Sequence, residues 1–535
     1  MNPASPQSEN GARANWLAAL ILICGATLRL WQLGEFPFHP DEAIHAWFSL
    51  DLSEYHYDPV YHGPLLYHLT AGAFALLGSN DFSARFIPAA CGIILLLLVL
   101  FPTRKYLGTR AALWAGIFLT FSPVVVAYSR RLLHDSLVLS LTLGAVLCFQ
   151  MALENPSSSR AGRTARVGLA VILALFLATK ANVFFIFAML FAFWIWHLLL
   201  SKLSIKKLES EVFDFVTPLL CVCVALATFA ILFRSDSLRA LPAMIGYWGG
   251  QQRAPRLPGP HDYYFRLFLL YELPLFIMAI WGAVSALIKR TAFTDLLLWW
   301  SFTSLVLYAV ANEKVPWLLA HQVLPLALLA GYGLVQIEWR TTPKKLALAA
   351  VVFIAAVFSI RHIIATNWEN AADRHEPLFY AQTTESYRNA LFDSLQQTRE
   401  FKERGVWVEP AEQWPPAWYA REKAAVLEGS TLFWNDEAPD QKTVRLIIAS
   451  PGVWESLQKD GRFAGWNYVA VEHYVWPRPA WSALSPRTFW RFWARREASL
   501  RNGVLEKPKE EILSAYSVFA TPPRAATDKD FSSIR

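Results

Sequence analysis

Charge is scarce in this chain. Asp, Glu, Lys and Arg make up 17% of its 535 residues, where a soluble globular protein carries roughly 25%. Hydrophobic residues reach 55% and the mean hydropathy is +0.29, so the composition is that of a membrane protein. Cysteine is scarcer still. Cys24, Cys91, Cys148, Cys221 and Cys223 all lie inside apolar runs, and none falls in the C-terminal third. That pattern argues against a disulfide framework and against a cysteine-based zinc site. No Gly-rich phosphate loop of the P-loop or dinucleotide type occurs, and there is no internal repeat. The first apolar run is long and lacks a small-residue cleavage site, so it is read as a retained helix rather than a signal peptide. The net charge of +7 is confined largely to short loops, and no nucleic-acid partner is expected.

One further absence is local. Phe36 to His68 contains no Lys or Arg, yet it holds five histidines (His39, His45, His56, His62, His68) and five acids (Asp41, Glu42, Asp51, Glu54, Asp58). Such groups remove protons or hold divalent cations. The first half reads as a short helix with Pro40 in its first turn. Asp41, Glu42 and His45 fall on one face, and Ile44, Trp47 and Phe48 on another suited to a membrane interface. Pro64 to Leu77 is helical in pattern but too short to span, since a bilayer takes ~20 apolar residues. It reads as a second interfacial helix. The bland alternative for the whole stretch is a polar loop between spans.

Eleven spans are predicted: 15–33, 84–101, 111–128, 136–153, 167–179, 181–200, 213–233, 265–288, 294–311, 317–337 and 346–365. With the N-terminus inside, the cytoplasmic loops collect Arg104, Lys105 and Arg110; Arg160, Arg163 and Arg166; Lys202, Lys206 and Lys207; Lys289 and Arg290; Arg340, Lys344 and Lys345. Positive charge sorts to the cytoplasmic side. Every other charged motif then converges on the outer face. Residues 1–365 form the membrane domain, and residues 366–535 a polar, Trp-rich α/β domain outside the inner (cytoplasmic) membrane. In that domain Val406–Val408, Val444–Ala449 and Tyr468–Glu472 read as strands and Glu385–Arg404 as a helix. No paired broken helices of the kind that mark transporters are evident.

Each outer motif carries two readings. Asp41 and Glu42 can act as base or metal ligands, or merely complement a helix N-terminus. Arg130, Arg131 and Asp135 lie between two spans; a charge at the bilayer centre costs ~2.5–3.5 kcal/mol, so they belong at the interface. There they grip an anionic substrate or tie two helices together. Lys180 contacts phosphate or snorkels. Arg253 and Arg256, in a Gly- and Pro-rich loop, bind phosphate oxygens or lipid head groups. Glu313 and Lys314 reach the cavity or neutralise each other, and His321 sits one turn into the next span. A metal set of His39, Asp41, His45 and His62 is one option; without it, no cofactor is required.

HPDEAIHA, YDPVYHGPLLYHL, YSRRLLHD, TKANVF, NEKVPWLLAH and WPPAWYAR together resemble the flippase-activity-associated membrane proteins. These are similar to the GT-C glycosyltransferases, including protein O-mannosyltransferases and aminoarabinose transferases of lipid A. The resemblance implies a polytopic GT-C fold and a polyprenyl-phosphate-sugar donor. It implies an inverting hexosyl or pentosyl transfer to a glycan, lipid or protein hydroxyl on the non-cytoplasmic face. It also implies a catalytic Asp in the first outer loop, matched by Asp41 with Glu42 beside it. Carry-over to Arg130, Lys180 and Arg256 is weaker. The rival is a non-catalytic flippase-associated, transport or scaffold component of glycan assembly, which has no need of Asp41.

Overall fold

Apolar runs long enough to cross a bilayer satisfy their backbone internally, and helices do so within one segment. In the computed structural model of the chain, each predicted span overlaps one helix or a bent pair of helices. The structure describes residues 6–53, 55–200, 216–253, 259–337, 341–369, 376–379, 382–401, 404–424, 432–433, 439–472, 474–475, 486–495 and 516–522. Among them, six helices are long and apolar enough to cross a membrane, or up to nine if each bent pair is one span. The eleven straight spans are therefore revised in shape. Thr109–Thr120 and Pro123–Ser129 meet at 65°, and Tyr263–Tyr271 and Leu273–Ile288 at 110°. Broken helices are thus present where none was expected. The stretch 234–264, expected to be a loop, is helical over Ser237–Arg253.

The chain divides into two compact units. The helical unit holds residues up to 34, residues 48–369 and a short return at 489–496. At its centre runs the helix Leu319–Gln336, buried at every residue from Leu319 to Leu334. Small residues let its neighbours approach closely, as interhelical packing in membranes requires. A Cβ on Gly282 would overlap the Leu329 carbonyl, and one on Gly331 would come within 2.5 Å of the Ala111 carbonyl. Helices Leu273–Ile288 and Thr109–Thr120 therefore lie directly against this central helix. In the return segment, Trp493 donates its indole N–H to the Leu269 carbonyl at 3.0 Å. The first-loop helix Pro40–Leu50 and the helix Leu65–Leu77 both form as expected. Phe48, read as part of a face suited to the membrane interface, packs edge-on against Tyr55, Tyr61 and Tyr67.

The second unit holds residues 35–47, 370–488 and 497–535. Its sheet has the order β3(Leu432–Phe433), β2(Gly405–Val408), β4(Val444–Ala449), β7(Tyr516–Thr521), β5(Asn467–Glu472). β2 runs parallel to β3 and β4; β7 is antiparallel to β4 and β5. A separate antiparallel pair joins β1(Gln382–Thr383) to β6(Tyr474–Val475). The predicted strands are in place, and the predicted helix stops at Gln397. Trp407, Ile447, Trp454, Phe463 and Trp466 fill the core. Residues 35–47 pack on WPPAWYAR: Phe38 stacks on Trp418 at 5.4 Å, and its N–H donates to the Tyr419 hydroxyl at 2.7 Å. Trp47 meets Trp414 edge-on at 5.7 Å. These aromatics therefore hold the acid-bearing segment.

The predicted orientation has a direct check. Reporter fusions after Arg290 and after Trp368 are expected to read inside and outside; equal readings would overturn it.

Candidate functional site

Three elements of the helical unit bring three chemically active side chains together. Asp135 opens the helix Asp135–Glu154. Lys180 lies in the turn between helices Arg160–Leu177 and Val183–Leu200. His321 sits in the first turn of the central helix. Lys180 Nζ donates to both Asp135 carboxylate oxygens, at 3.1 and 3.3 Å. His321 Nε2 lies 2.8 Å from Asp135 Oδ1, so with a carboxylate acceptor that nitrogen carries the proton. All three are buried, at 1%, 6% and 7% exposure. A buried charge is tolerated when it is paired and hydrogen-bonded, and here each partner answers another. The Trp317 ring lies 5.9 Å from the Lys180 ammonium.

Beside this cluster is a cavity of about 250 Å³. Val138, Phe176, Phe185 and Trp300 give it apolar walls, and Asn182, Tyr308 and His321 a polar end. Asn182 donates to the Tyr308 hydroxyl at 3.4 Å, and the Tyr308 ring stacks over His321 at 6.1 Å. His321 lines this largely apolar cavity and bonds Asp135, so it joins the cavity to the Lys180–Asp135 pair behind it. An apolar cavity with a few polar groups at one place suits an amphiphile.

The first loop is fastened beside Lys180. Gly63 N–H donates to the Thr179 carbonyl and Leu65 N–H to the Ala178 carbonyl, each at 2.9 Å. A Cβ on residue 63 would come within 2.3 Å of the Ala178 carbonyl, so only glycine permits this approach. His62, with φ of 68°, turns its ring to 5.0 Å from that of His134.

Three of the other predicted cations, Arg130, Arg131 and Lys314, are engaged with backbone. Arg130 donates to the carbonyls of Leu28, Arg29, Trp31 and Gln32, closing the C-terminus of the first helix, where a cation offsets the dipole. Its guanidinium also lies 4.5 Å from the Trp368 ring. Burial, then Arg85, Arg131 and Arg29, bring its pKa down to about 9. Lys314 closes the helix Ala292–Val310 in the same way, donating to the carbonyls of Tyr308, Ala309 and Ala311. Burial lowers its pKa. Arg131 donates to the Ala127 carbonyl at 3.3 Å. Glu313 is half-buried and Arg253 exposed; Arg256 lies outside the described residues.

In the other unit, Glu42 is fully buried and its carboxylate accepts the His39 N–H at 3.0 Å. That bond closes the start of the helix, the role of a capping-box acid. Asp41 differs: its side chain is 44% exposed, and its backbone N–H donates to His39 Nδ1 at 3.0 Å. His45 is buried. The metal set His39, Asp41, His45 and His62 is not assembled: among the described residues no three His, Cys, Asp or Glu side chains are grouped to hold an ion. His39 Nδ1 already accepts a backbone proton, which takes the lone pair a metal would need.

Two features escaped the sequence reading. His321 was placed near the outer motifs, but its bond to Asp135 was not foreseen. Glu272 was passed over inside a predicted span. It lies at the 110° bend, fully inside the protein, and accepts the Ser122 hydroxyl proton and the Val124 N–H. Its acceptors thus cap the helix Pro123–Ser129 at the other bend. The signal was available: a lone carboxylate in an apolar run marks a functional or structural site.

With this geometry in hand, comparison with known proteins identifies the fold. Residues 61–230 match the family described as dolichyl-phosphate-mannose-protein mannosyltransferase. No curated protein sequence matches the chain. Among solved structures it is similar to ArnT from Cupriavidus metallidurans bound to undecaprenyl phosphate. The TM-score there is 0.60 at 15% identity, over 83% of this chain and 95% of that one. It is also similar to the archaeal oligosaccharyltransferase AglB from Archaeoglobus fulgidus, in complex with an inhibitory peptide and a dolichol-phosphate. That TM-score is 0.55 at 11% identity, over 86% of this chain and 73% of that one. The expected resemblance to GT-C glycosyltransferases holds at the level of the fold.

Proposed function

We propose that this chain, which has the GT-C fold, is a membrane glycosyltransferase that moves a sugar from a polyprenyl-phosphate donor to a hydroxyl acceptor on the outer face of the cytoplasmic membrane. The observation that carries the reading is the buried Lys180–Asp135–His321 cluster, whose His321 lines an apolar cavity. An ammonium has three donors. Two are directed at Asp135, leaving one for a phosphate oxygen. The carboxylate and imidazole fix where that donor sits, which favours a defined head-group position over loose ion pairing.

In the transfer itself, the acceptor oxygen attacks the anomeric carbon and the bond from that carbon to the phosphate oxygen breaks. The electron pair leaves on the polyprenyl phosphate, and the acceptor proton passes to Asp41. A single displacement inverts the anomeric configuration. Phosphate is a good leaving group, so the demand falls on the base and on cations that hold the departing charge. Asp41 suits the first task because its carboxylate is reachable, whereas that of Glu42 is committed to the helix start. Glu42 then acts by holding the turn that presents Asp41. Arg253, Arg256 and Glu313 remain candidate contacts for substrate.

The test is mass analysis of surface glycans and lipid-linked sugars from a deletion strain. Loss of one sugar from a glycan, lipid or protein is expected, together with accumulation of its polyprenyl-phosphate form. Restoration by wild type but not by Asp41→Asn assigns the loss to catalysis. An unchanged glycan profile overturns the reading.

A further inference from the structure

A second cavity of the helical unit, about 200 Å³, is used by nothing above. Tyr55, His56, Tyr57 and His68 line it from the first loop, and Phe233, Arg234 and Asp236 from the junction after the helix Val216–Phe233. Asp236 Oδ2 accepts the Tyr57 N–H at 2.9 Å and lies 3.9 Å from His56 Nδ1. Its Oδ1 has no bond among the described residues. The Arg234 guanidinium likewise makes no hydrogen bond or ion pair among them. Arg234 also adopts φ of 51°, a left-handed conformation that is strained for a non-glycine residue. The strain turns the chain sharply between two helices and brings Arg234 and Asp236 to one cavity.

The charges decide what kind of ligand fits. Burial holds the His68 imidazole below its ordinary pKa; the Leu232 carbonyl opposes this and Arg234 adds to it. Burial and then Asp58 raise the Tyr57 phenol above its ordinary value. Both groups are therefore neutral near pH 7. Arg234 and Asp236 cancel, and Asp58 stands close enough to act on Tyr57. An anion gains little from such a site. A neutral ligand whose groups both donate and accept can use Asp236, Arg234 and the imidazoles together. Tyr57 and Phe233, edge-on at 5.2 Å, supply an apolar wall. A pyranose combines an apolar face with such hydroxyls.

We propose that this cavity is a second carbohydrate subsite, which binds a neutral sugar residue of the acceptor. The loop that lines it runs on to the buried cluster. The Tyr55 hydroxyl donates to the His62 carbonyl at 2.8 Å, and Gly63 is bonded beside Lys180. A glycan held at Tyr57 and Asp236 thus lies along the same loop that borders the donor head group. The proposal rests on the glycosyl-transfer reading for the source of the sugar; the binding itself does not.

The test uses the full chain in lipid nanodiscs and a panel of methyl pyranosides of mannose, glucose, galactose and arabinose. Saturation-transfer NMR is expected to show binding of at least one. Asp236→Asn and Arg234→Ala are each expected to weaken it about tenfold or more, as for loss of a hydrogen bond to a charged group. Arg234→Ala removes no hydrogen bond or ion pair among the described residues, so it serves if Asp236→Asn fails to fold. Undecaprenyl phosphate binding, measured in parallel, is expected to be unchanged in both variants. No pyranoside signal, unweakened binding in Arg234→Ala, or displacement of the sugar by inorganic phosphate overturns the subsite. Failure of wild type to bind undecaprenyl phosphate, with sugar binding intact, instead overturns the donor reading alone.

Discussion

Asp41→Asn is expected to lower sugar transfer by ~10²–10⁴-fold, the usual range for a lost general base, in a protein that still folds. The substitution keeps the shape and removes the basic carboxylate. Folding survives because the bond that orders this turn on the Asp41 side is made by its backbone N–H, not its side chain. Glu42→Gln is the contrasting variant. Its carboxylate is buried and closes the helix start, so the amide weakens the turn and lowers stability before it touches chemistry. Transfer assayed in membranes with matched expression separates the two. Wild-type turnover in Asp41→Asn would refute the base assignment.

The second large effect is expected at Lys180. Lys180→Met leaves Asp135 buried without its cation, and breaking one side of a buried pair costs about 3–5 kcal/mol. Expression and the melting temperature in detergent should both fall. Asp135→Leu combined with Lys180→Met removes the unpaired charge, and replacing both members by apolar residues is often neutral. That double variant is expected to recover stability while failing to bind undecaprenyl phosphate. Carrier binding at the wild-type level in the recovered double variant would reduce the pair to a structural tie.

The membrane helices and the strands of the second unit were legible because length, apolarity and alternation are local properties. Asp135 and Lys180 were legible one at a time, as charges at span ends. Their pairing was not, because it depends on closure between elements 45 residues apart. Arg130 and Lys314 were read toward phosphate because an exposed-looking cation in an outer loop suggests an anion. Their partners are backbone carbonyls, which every residue carries and no sequence advertises. The stretch after Arg234 was read as loop for its glycines. Yet Leu238, Leu241, Ile245 and Trp248 recur at helical spacing, and the helix follows that period. The bends at Ser122 and Glu272 were partly legible, since Pro123 and Pro274 stand in the first turn of the helix after each bend. What the prolines did not show is that a carboxylate from 150 residues away completes the helix end at Ser122.

That carboxylate also sets an order of events during synthesis. Glu272 lies 150 residues after Ser122. At roughly 5–20 residues per second, the start of the helix Pro123–Ser129 waits about 8–30 s for its acceptor. Asp135 receives Lys180 after 45 residues, roughly 2–9 s on the same scale, but His321 only after 186. The ribosome therefore delivers the charge-neutralising partner early and the two groups that fix geometry late. The half-made protein carries a neutralised Asp135 but an open helix end, and the central helix from Leu319 to Gln336 completes the Asp135 cluster after both.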